Sequence, residues 1–364
     1  MVTHDQGGGV ERVIAARATA ARAANLRPLV LRPARSADGC TGARVAEAGE
    51  DAAFPNLVFA IPDELPPLRR LLAAERVTRV ELHHLLGHAP EMLDLPRLLN
   101  VPYEVHVHDY AWLCPRVVLL GATGRYCREP YLAGCVSCVA EAGSLLDEPI
   151  GPAALRARSA GVLTGARRVI APSADAAARI ARHFPSINPR IVPHEDDAAL
   201  PPVPPPRAGR CVVAVIGAVG AAKGYDVLLA CARDAASRAL GLAFTVVGHT
   251  IDDARLIATG RVFVTGPYAP EEAEALIRAQ DAAIAFIPSV VPETWCFALT
   301  EAWRAGLRAA VFDLGAQSGR VRATGWGFPI PARMSAARIN DALLAASGVS
   351  RHEDAPHVSA RTGP

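Results

Sequence analysis

Five of the six residues in 201-PPVPPP-206 are proline, and this run constrains the chain more than any other stretch. Proline lacks a backbone N–H and holds φ near about −65°, so the run neither continues a helix nor enters a sheet interior. It reads as a stiff, extended connector. The same rhythm runs on both sides of it. Ahead of it, 29-LVL-31, 57-LVFAI-61, 79-RVELHHL-85, 104-EVHVHD-109 and 168-RVIAPS-173 read as short strands, with helical spacing over 10–25 and 66–75. Behind it, 211-CVVAVIG-217, 243-AFTVVG-248, 261-RVFVTG-266, 282-AAIAFIP-288 and 308-RAAVFD-313 alternate with helical patterns over 226–240, 271–280 and 297–306. Buried strands interleaved with helices of roughly 10–15 residues imply parallel sheets covered on both faces.

The expected class is therefore α/β, as two doubly wound, Rossmann-like domains facing a cleft. A length of 364 residues gives each half enough chain for its own core. The expected division is a first domain over 1–200, the connector at 201–206 and a second domain over 207–333. A helix over 334–348 is expected to fold back onto the first domain. The stretch 349–364 has no periodicity and reads as a disordered tail. Only Met1, Val2 and Thr3 precede the first glycine-rich turn, so the first strand is expected to be cut short or to continue a longer polypeptide.

A hydrophobic content of 51% with 20% charged residues describes a folded, globular chain. The net charge of +2 makes no electrostatic case for nucleic acid. No apolar run reaches the length of a membrane span, and MVTHDQGGG lacks the pattern of a secretory signal. Eight cysteines in that context point to reduced thiols and a cytoplasmic location. The basic, apolar stretch 66-PPLRRLLAAERVTR-79 is the one feature compatible with peripheral contact at the inner face of a membrane.

In open α/β sheets, ligands bind beyond the carboxyl ends of the strands, where glycine turns and helix N-termini present backbone N–H groups. Three stretches fall there. In 4-HDQGGGVER-12, consecutive glycines let the backbone come close to a phosphate or sugar; Arg12 stands where a dinucleotide fingerprint needs glycine, which excludes that motif. A ligand-free tight turn is the plain alternative. In 216-IGAVGAAKGYDVLL-229, Lys223 is the sole lysine among 38 basic residues. It precedes a helix, whose N-terminus is already positive, so its placement makes sense with an anion between the two; an ordinary surface lysine is the alternative. In 292-PETWCFALTEAW-303, Glu293 and Glu301 flank seven residues. As one continuous helix they would lie about 12 Å apart along the axis, too far to share one reacting atom as glycosidase carboxylates do. The pair suits a long ligand held at both ends, with phosphates near the N–H groups of Thr294, Trp295, Cys296 and Phe297; ordinary helix capping is the alternative.

Taken together, the glutamate pair after 288-PSVVPE-293, "KGYDVLL" about 70 residues earlier, the "GGGVER" loop and 108-HDYAWLCPR-116 resemble family-4 retaining glycosyltransferases of the GT-B fold, of the bacterial surface-polysaccharide type. The likeness runs from about Thr3 to about Pro331. It implies transfer of a sugar from a nucleotide-diphosphate donor to a glycan or lipid-linked glycan acceptor, with retained configuration and no metal required for catalysis. It implies that Glu293 holds donor-sugar hydroxyls, Glu301 the ribose and Lys223 the diphosphate. Gly8 and Gly9 would line the site, and His108 would touch the sugar near its reacting face. Gly248, Gly266 and Tyr268, at strand ends, are candidates for the nucleobase. The chain departs from the pattern at Ala218, where such enzymes carry an arginine as a second diphosphate cation.

Cys114, Cys127, Cys135 and Cys138 crowd one loop-rich segment, and four thiols so placed could bind a structural zinc ion; free thiols or one oxidised pair are the alternatives. Cys40, Cys211, Cys231 and Cys296 read as small apolar residues. His83 and His84, on a strand, read as structural. Two other functions stay open: a non-catalytic GT-B module that binds sugar nucleotide or glycan within a larger protein, and a nucleotide-sugar epimerase.

Overall fold

The computed structural model describes residues 1–35, 41–50, 56–197 and 211–347. The expected connector at 201–206, the expected tail at 349–364 and Cys40 lie outside them. The chain divides into two compact units, one of Met1–Thr123 with Cys127–His194, the other of Gly124–Tyr126 with Glu195 onward.

In the first unit α1 (Gly8–Ala23) precedes a hairpin-like ribbon, β1 (Leu29–Arg35), β2 (Thr41–Glu47) and β3 (Val58–Ala60). Then come α2 (Leu65–Ala74), β4 (Val80–Leu82), α3 (Leu95–Leu99), β5 (Tyr103–His106), α4 (Leu132–Ala142), α5 (Pro152–Gly165), β6 (Arg168–Ala171), α6 (Ala174–His183) and β7 (Arg190–Ile191). β4, β5, β6 and β7 pair in parallel in that order. Val2 fills the place of a first strand. It forms parallel bridges to both Leu31 and Leu82, and its N–H donates to the Glu81 carbonyl at 2.8 Å. The ribbon departs from the expected all-parallel sheet, because β1–β2 and β2–β3 are antiparallel. Gly42 permits the close approach there: a Cβ would lie 2.8 Å from the Phe59 carbonyl oxygen.

The second unit alternates without exception: β8 (Cys211–Val219), α7 (Tyr225–Ser237), β9 (Leu242–Thr250), α8 (Asp253–Ile257), β10 (Val262–Val264), α9 (Ala273–Ala279), β11 (Ile284–Ile287), α10 (Phe297–Arg304), β12 (Ala309–Phe312), α11 (Gly315–Thr324), β13 (Gly327–Ile330) and α12 (Ala336–Ser347). The strand order is β10-β9-β8-β11-β12-β13, and every pairing is parallel. This is the doubly wound arrangement whose order reverses between β8 and β11, the place where such sheets bind ligands. Apolar strand residues feed both faces. One carries Leu228, Phe244, Phe286, Phe312 and Leu343, the other Ile277, Leu299, Trp303 and Val321.

α12 packs against α7 within the second unit. Ile339, Leu343 and Leu344 enter the core beside α7. The Asn340 side-chain amide donates to the Cys231 carbonyl at 2.9 Å and to Asp234 at 2.8 Å, and Arg238 pairs with Asp341 at 3.0 Å.

Candidate functional site

At the switch point, the loop after β8 carries Lys223 and the loop after β11 carries Glu293. Lys223 Nζ meets Glu293 Oε2 at 2.5 Å across 70 residues of sequence. Glycine makes the meeting possible. Gly224 has φ +86°, and a Cβ there would sit 2.0 Å from the Pro288 carbonyl oxygen. The same two loops are stitched by the Val290 N–H, which donates to the Ala222 carbonyl at 3.0 Å. The lysine side chain is 49% exposed, whereas that of Glu293 is 9% exposed. Partial burial works to lower the Lys223 pKa, but the Glu293 carboxylate outweighs it and the ammonium is held above its ordinary value.

The Glu293 loop is fixed from beneath by α11. Gln317, fully buried, accepts from the Glu293 N–H at 3.1 Å and donates to the Val291 carbonyl at 3.2 Å. The Ala316 N–H donates to the Glu293 carbonyl at 2.9 Å. Gly315, at φ +66°, lets the two backbones touch, since a Cβ would lie 2.6 Å from the Glu293 nitrogen. With the backbone so tied, Glu293 Oε1 is left buried with no hydrogen-bond partner among the described residues. A buried carboxylate oxygen in that state is an acceptor awaiting a donor.

α10 begins at Phe297, with Cys296 at φ +78° just before it. Glu293 therefore lies in the loop, and the continuous helix assumed for a 12 Å separation from Glu301 does not form. Thr294, Trp295 and Cys296 are buried. Arg320 lies over the Trp295 ring at 3.8 Å and donates to the Trp295 and Cys296 carbonyls at 3.1 and 2.8 Å. Asp197 holds Arg320 in turn at 2.6 and 2.8 Å. Glu195 takes the Trp295 indole N–H at 3.2 Å and the Thr300 hydroxyl at 2.6 Å. Burial pushes the Cys296 thiol up to about 12, with Glu293 adding to it, so it stays protonated. The buried Trp295 and Cys296 side chains anchor this segment. Sequence reasoning missed Gln317, Arg320, Glu195 and Asp197.

Glu301 is buried on α10 and accepts from the Tyr268 hydroxyl at 2.9 Å. Tyr268 thus steadies Glu301, a tie its sequence context did not announce. Gly248 is required by contact, since a Cβ would come within 2.3 Å of the Gly217 carbonyl oxygen; Gly266 has φ +87° and open space around it. Ala218 is exposed, and its register partner on β9 is the exposed His249. The strand pairing thus sets an imidazole beside the position where a cation was expected.

In the first unit, Gly8 and Gly9 are exposed at the start of α1, and Gly8 has φ +71° with open space around it. His108 follows β5, and its Nε2 lies 2.9 Å from His83 Nδ1. His84 pairs with Asp109 at 2.7 Å. Burial alone would lower the His84 pKa, but Asp109 raises it overall. A cavity of about 420 Å³ opens beside these residues, lined by His83, His84, His88, Trp112, Leu155 and Arg158 among others. Its size is that of an ordinary small-molecule site.

The described residues do not show the expected zinc site. Cys114, Cys127, Cys135 and Cys138 are free and half-buried, and no three of them form a group able to hold a metal ion among the described residues. Arg156 donates to Cys135 Sγ at 3.1 Å. Burial raises the Cys114 thiol to about 11, so it is protonated at neutral pH.

No family model matches the chain, and no curated protein does. Solved structures do. Sucrose-phosphate synthase from Thermosynechococcus elongatus superimposes with a TM-score of 0.60 at 15% identity, covering 95% of this chain and 88% of that one. A glycosyltransferase from Rickettsia africae gives 0.59 at 14%, covering 96% and 88%. HepE from Anabaena, solved with UDP and glucose, gives 0.52 at 13%, covering 94% and 88%. The fold is GT-B. At these identities the likeness is one of architecture, and the second unit's strand order and switch-point loops are its GT-B features. Among the described residues, no helix is long and apolar enough to cross a membrane.

Proposed function

We propose that the chain is a retaining glycosyltransferase that moves a sugar from a nucleotide-diphosphate donor to a glycan or lipid-linked glycan acceptor in polysaccharide assembly. One observation carries the reading: the sole lysine and a buried glutamate with an unpartnered oxygen meet at the switch point of a doubly wound sheet. The donor diphosphate lies against Lys223, which exchanges part of its contact with Glu293 for phosphate oxygens. Glu293 Oε1 accepts a hydroxyl of the donor sugar, and Glu301, steadied by Tyr268, accepts the ribose hydroxyls. The neighbouring strand ends carrying Gly248 and Gly266 flank the nucleobase. His249, across from Ala218, supplies a further hydrogen-bond donor towards the diphosphate.

In the reaction, the bond from the anomeric carbon to the diphosphate oxygen breaks as the acceptor oxygen bonds to the same face. The acceptor's proton passes to the departing phosphate oxygen, so charge and atoms balance without a protein nucleophile. Negative charge grows on the diphosphate, and Lys223 with the surrounding backbone N–H groups stabilises it. Because these fixed groups already oppose the charge, no step in this scheme calls on a metal ion. The acceptor enters through the first unit, where Gly8, Gly9, His108 and the cavity beside His84 offer hydrogen-bonding and apolar surface.

The test is incubation of purified protein with a panel of nucleotide-diphosphate sugars and glycan acceptors, with the product's anomeric configuration read by NMR. Transfer with retained configuration supports the reading, and inversion overturns the mechanism. Binding of a sugar nucleotide without transfer favours the non-catalytic module, for which the missing cation at Ala218 is the supporting observation. A changed sugar formed without any acceptor identifies an epimerase.

A further inference from the structure

Five polar side chains of the first unit form one continuous array, in which Glu81, His83 and His106 are buried and His108 and His194 are half-buried. Glu81 on β4 and His83 just after it share a face with His106 and His108, because residues two apart on a strand point the same way and Glu81 is in register with Glu104. His83 stacks on His106 with ring centres 4.3 Å apart and planes 16° from parallel. His108 stacks on His194 at 5.7 Å and 20°. His83 Nε2 lies 3.3 Å from Glu81 Oε2, and His83 Nδ1 lies 2.9 Å from His108 Nε2. Arg17 grips both oxygens of Glu81, and Arg79 approaches Oε1 at 2.9 Å.

Glu81, His83 and His106 bring three ligand atoms within 4.8 Å of one another, which raises the question of a metal. The ring geometry answers against it. An imidazole donates to a metal along its lone pair, in the ring plane, at about 2.0–2.1 Å. Two nearly parallel rings stacked 4.3 Å apart cannot both aim in-plane at one such point. The two arginines on Glu81 oppose a cation as well.

We propose instead that Glu81 and His83 are positioning residues that fix the tautomer of His108 through two consecutive hydrogen bonds. An ionised carboxylate only accepts, so the shared hydrogen sits on His83 Nε2. A neutral His83 then has its lone pair on Nδ1, and the facing His108 Nε2 must carry the hydrogen. His108 is left with its lone pair on Nδ1. The surrounding charges support each step. Burial would raise the Glu81 pKa, but His83 and Arg17 hold it far below the ordinary carboxylate range. Burial lowers the pKa of His83, of His106 (to about 2) and of His108, keeping all three rings neutral. The arrangement follows the logic by which a buried carboxylate sets a histidine's tautomer, extended by one ring.

The assignment to a sugar-contacting role for His108 rests on the proposed function; the tautomer does not. Long-range ¹H–¹⁵N spectra of ¹⁵N-histidine-labelled protein at pH 7, with His108 assigned from a His108→Gln variant, read it directly. The wild-type protein is expected to show hydrogen on Nε2 of both His83 and His108. Hydrogen on Nδ1 of His108, or a stoichiometric metal on the array, overturns the proposal. In Glu81→Gln, the arginines hold the carbonyl oxygen and the amide turns its N–H towards His83, so both tautomers are expected to reverse. An unchanged His108 in a folded Gln variant also overturns it. Should Glu81→Gln fail to fold, the wild-type spectrum still decides. His83→Phe is expected to lower kcat about 10- to 100-fold with donor KM within threefold; an equal loss in every variant of the array, tracking stability alone, counts against positioning. If the tautomers are as stated but no sugar nucleotide turns over, the hydrogen-bond chain stands and the transferase reading falls. If transfer occurs while His108 carries its hydrogen on Nδ1, the reverse holds.

Discussion

In the second unit an ammonium and a carboxylate meet at a half-exposed loop junction, whereas in the first a buried carboxylate passes its polarity along neutral rings. The difference follows from what each place can hydrate. Lys223 keeps contact with solvent, so its charge survives, and glycine geometry alone brings it to Glu293. His83 and His106 are buried, and burial lowers the pKa of the rings while leaving their directional hydrogen bonds intact.

Removing the carboxylate at the charged end should have the largest effect. Glu293→Gln keeps the backbone ties to Gln317 and Ala316 but weakens the acceptor, and transfer, measured as kcat/KM, is expected to fall on the order of a hundredfold. Wild-type kinetics in that variant would break the contrast between the regions. Gly224→Ala should come next. Left-handed backbone costs a non-glycine residue about 1–2 kcal/mol, and the clash with Pro288 adds to it; denaturant unfolding should show a loss greater than that range, with donor affinity reduced in whatever folds. Gln317→Leu leaves the Glu293 N–H and Val291 carbonyl without their partner and is expected to cost about 1–3 kcal/mol, with donor KM raised more than kcat is lowered.

The smallest effect sharpens the other side. Burial depresses His88 to about 4 and His106 to about 2. Between those values and the unfolded value of about 6.5, the unfolded chain binds protons that the folded chain does not, so stability falls as pH drops below about 6.5. His84, raised by Asp109, acts oppositely: its contribution is full at low pH and fades as pH rises through its folded value. Melting temperature is expected to decline from pH 7 to pH 5, and a rise over that interval would contradict the buried neutral array.

Much of this was legible in the sequence, and the rest was hidden for physical reasons. The alternation of apolar runs with helical spacing located most strands, since the second unit's β8, β9, β11 and β12 are buried on both faces and read as unbroken apolar text. The solitary lysine and the paired glutamates stood out by contrast with their neighbours. Gln317 and Arg320 did not, because 315-GAQSGRVRAT-324 reads as polar surface, yet tertiary contacts carry those two polar side chains inward. The period-two placement of Glu81 and His83 against His106 and His108 was visible in 79-RVELHHL-85 and 104-EVHVHD-109, but only strand register shows that the two sets face each other.

The most direct test of the central claim is calorimetric titration of a nucleoside diphosphate into the wild-type protein and into Lys223→Ala. Saturable one-site binding to the wild type, weakened at least about tenfold in the variant (about 1.4 kcal/mol), is the predicted result. Equal affinity in the two proteins, or no binding to the wild type at millimolar concentration, would contradict the account.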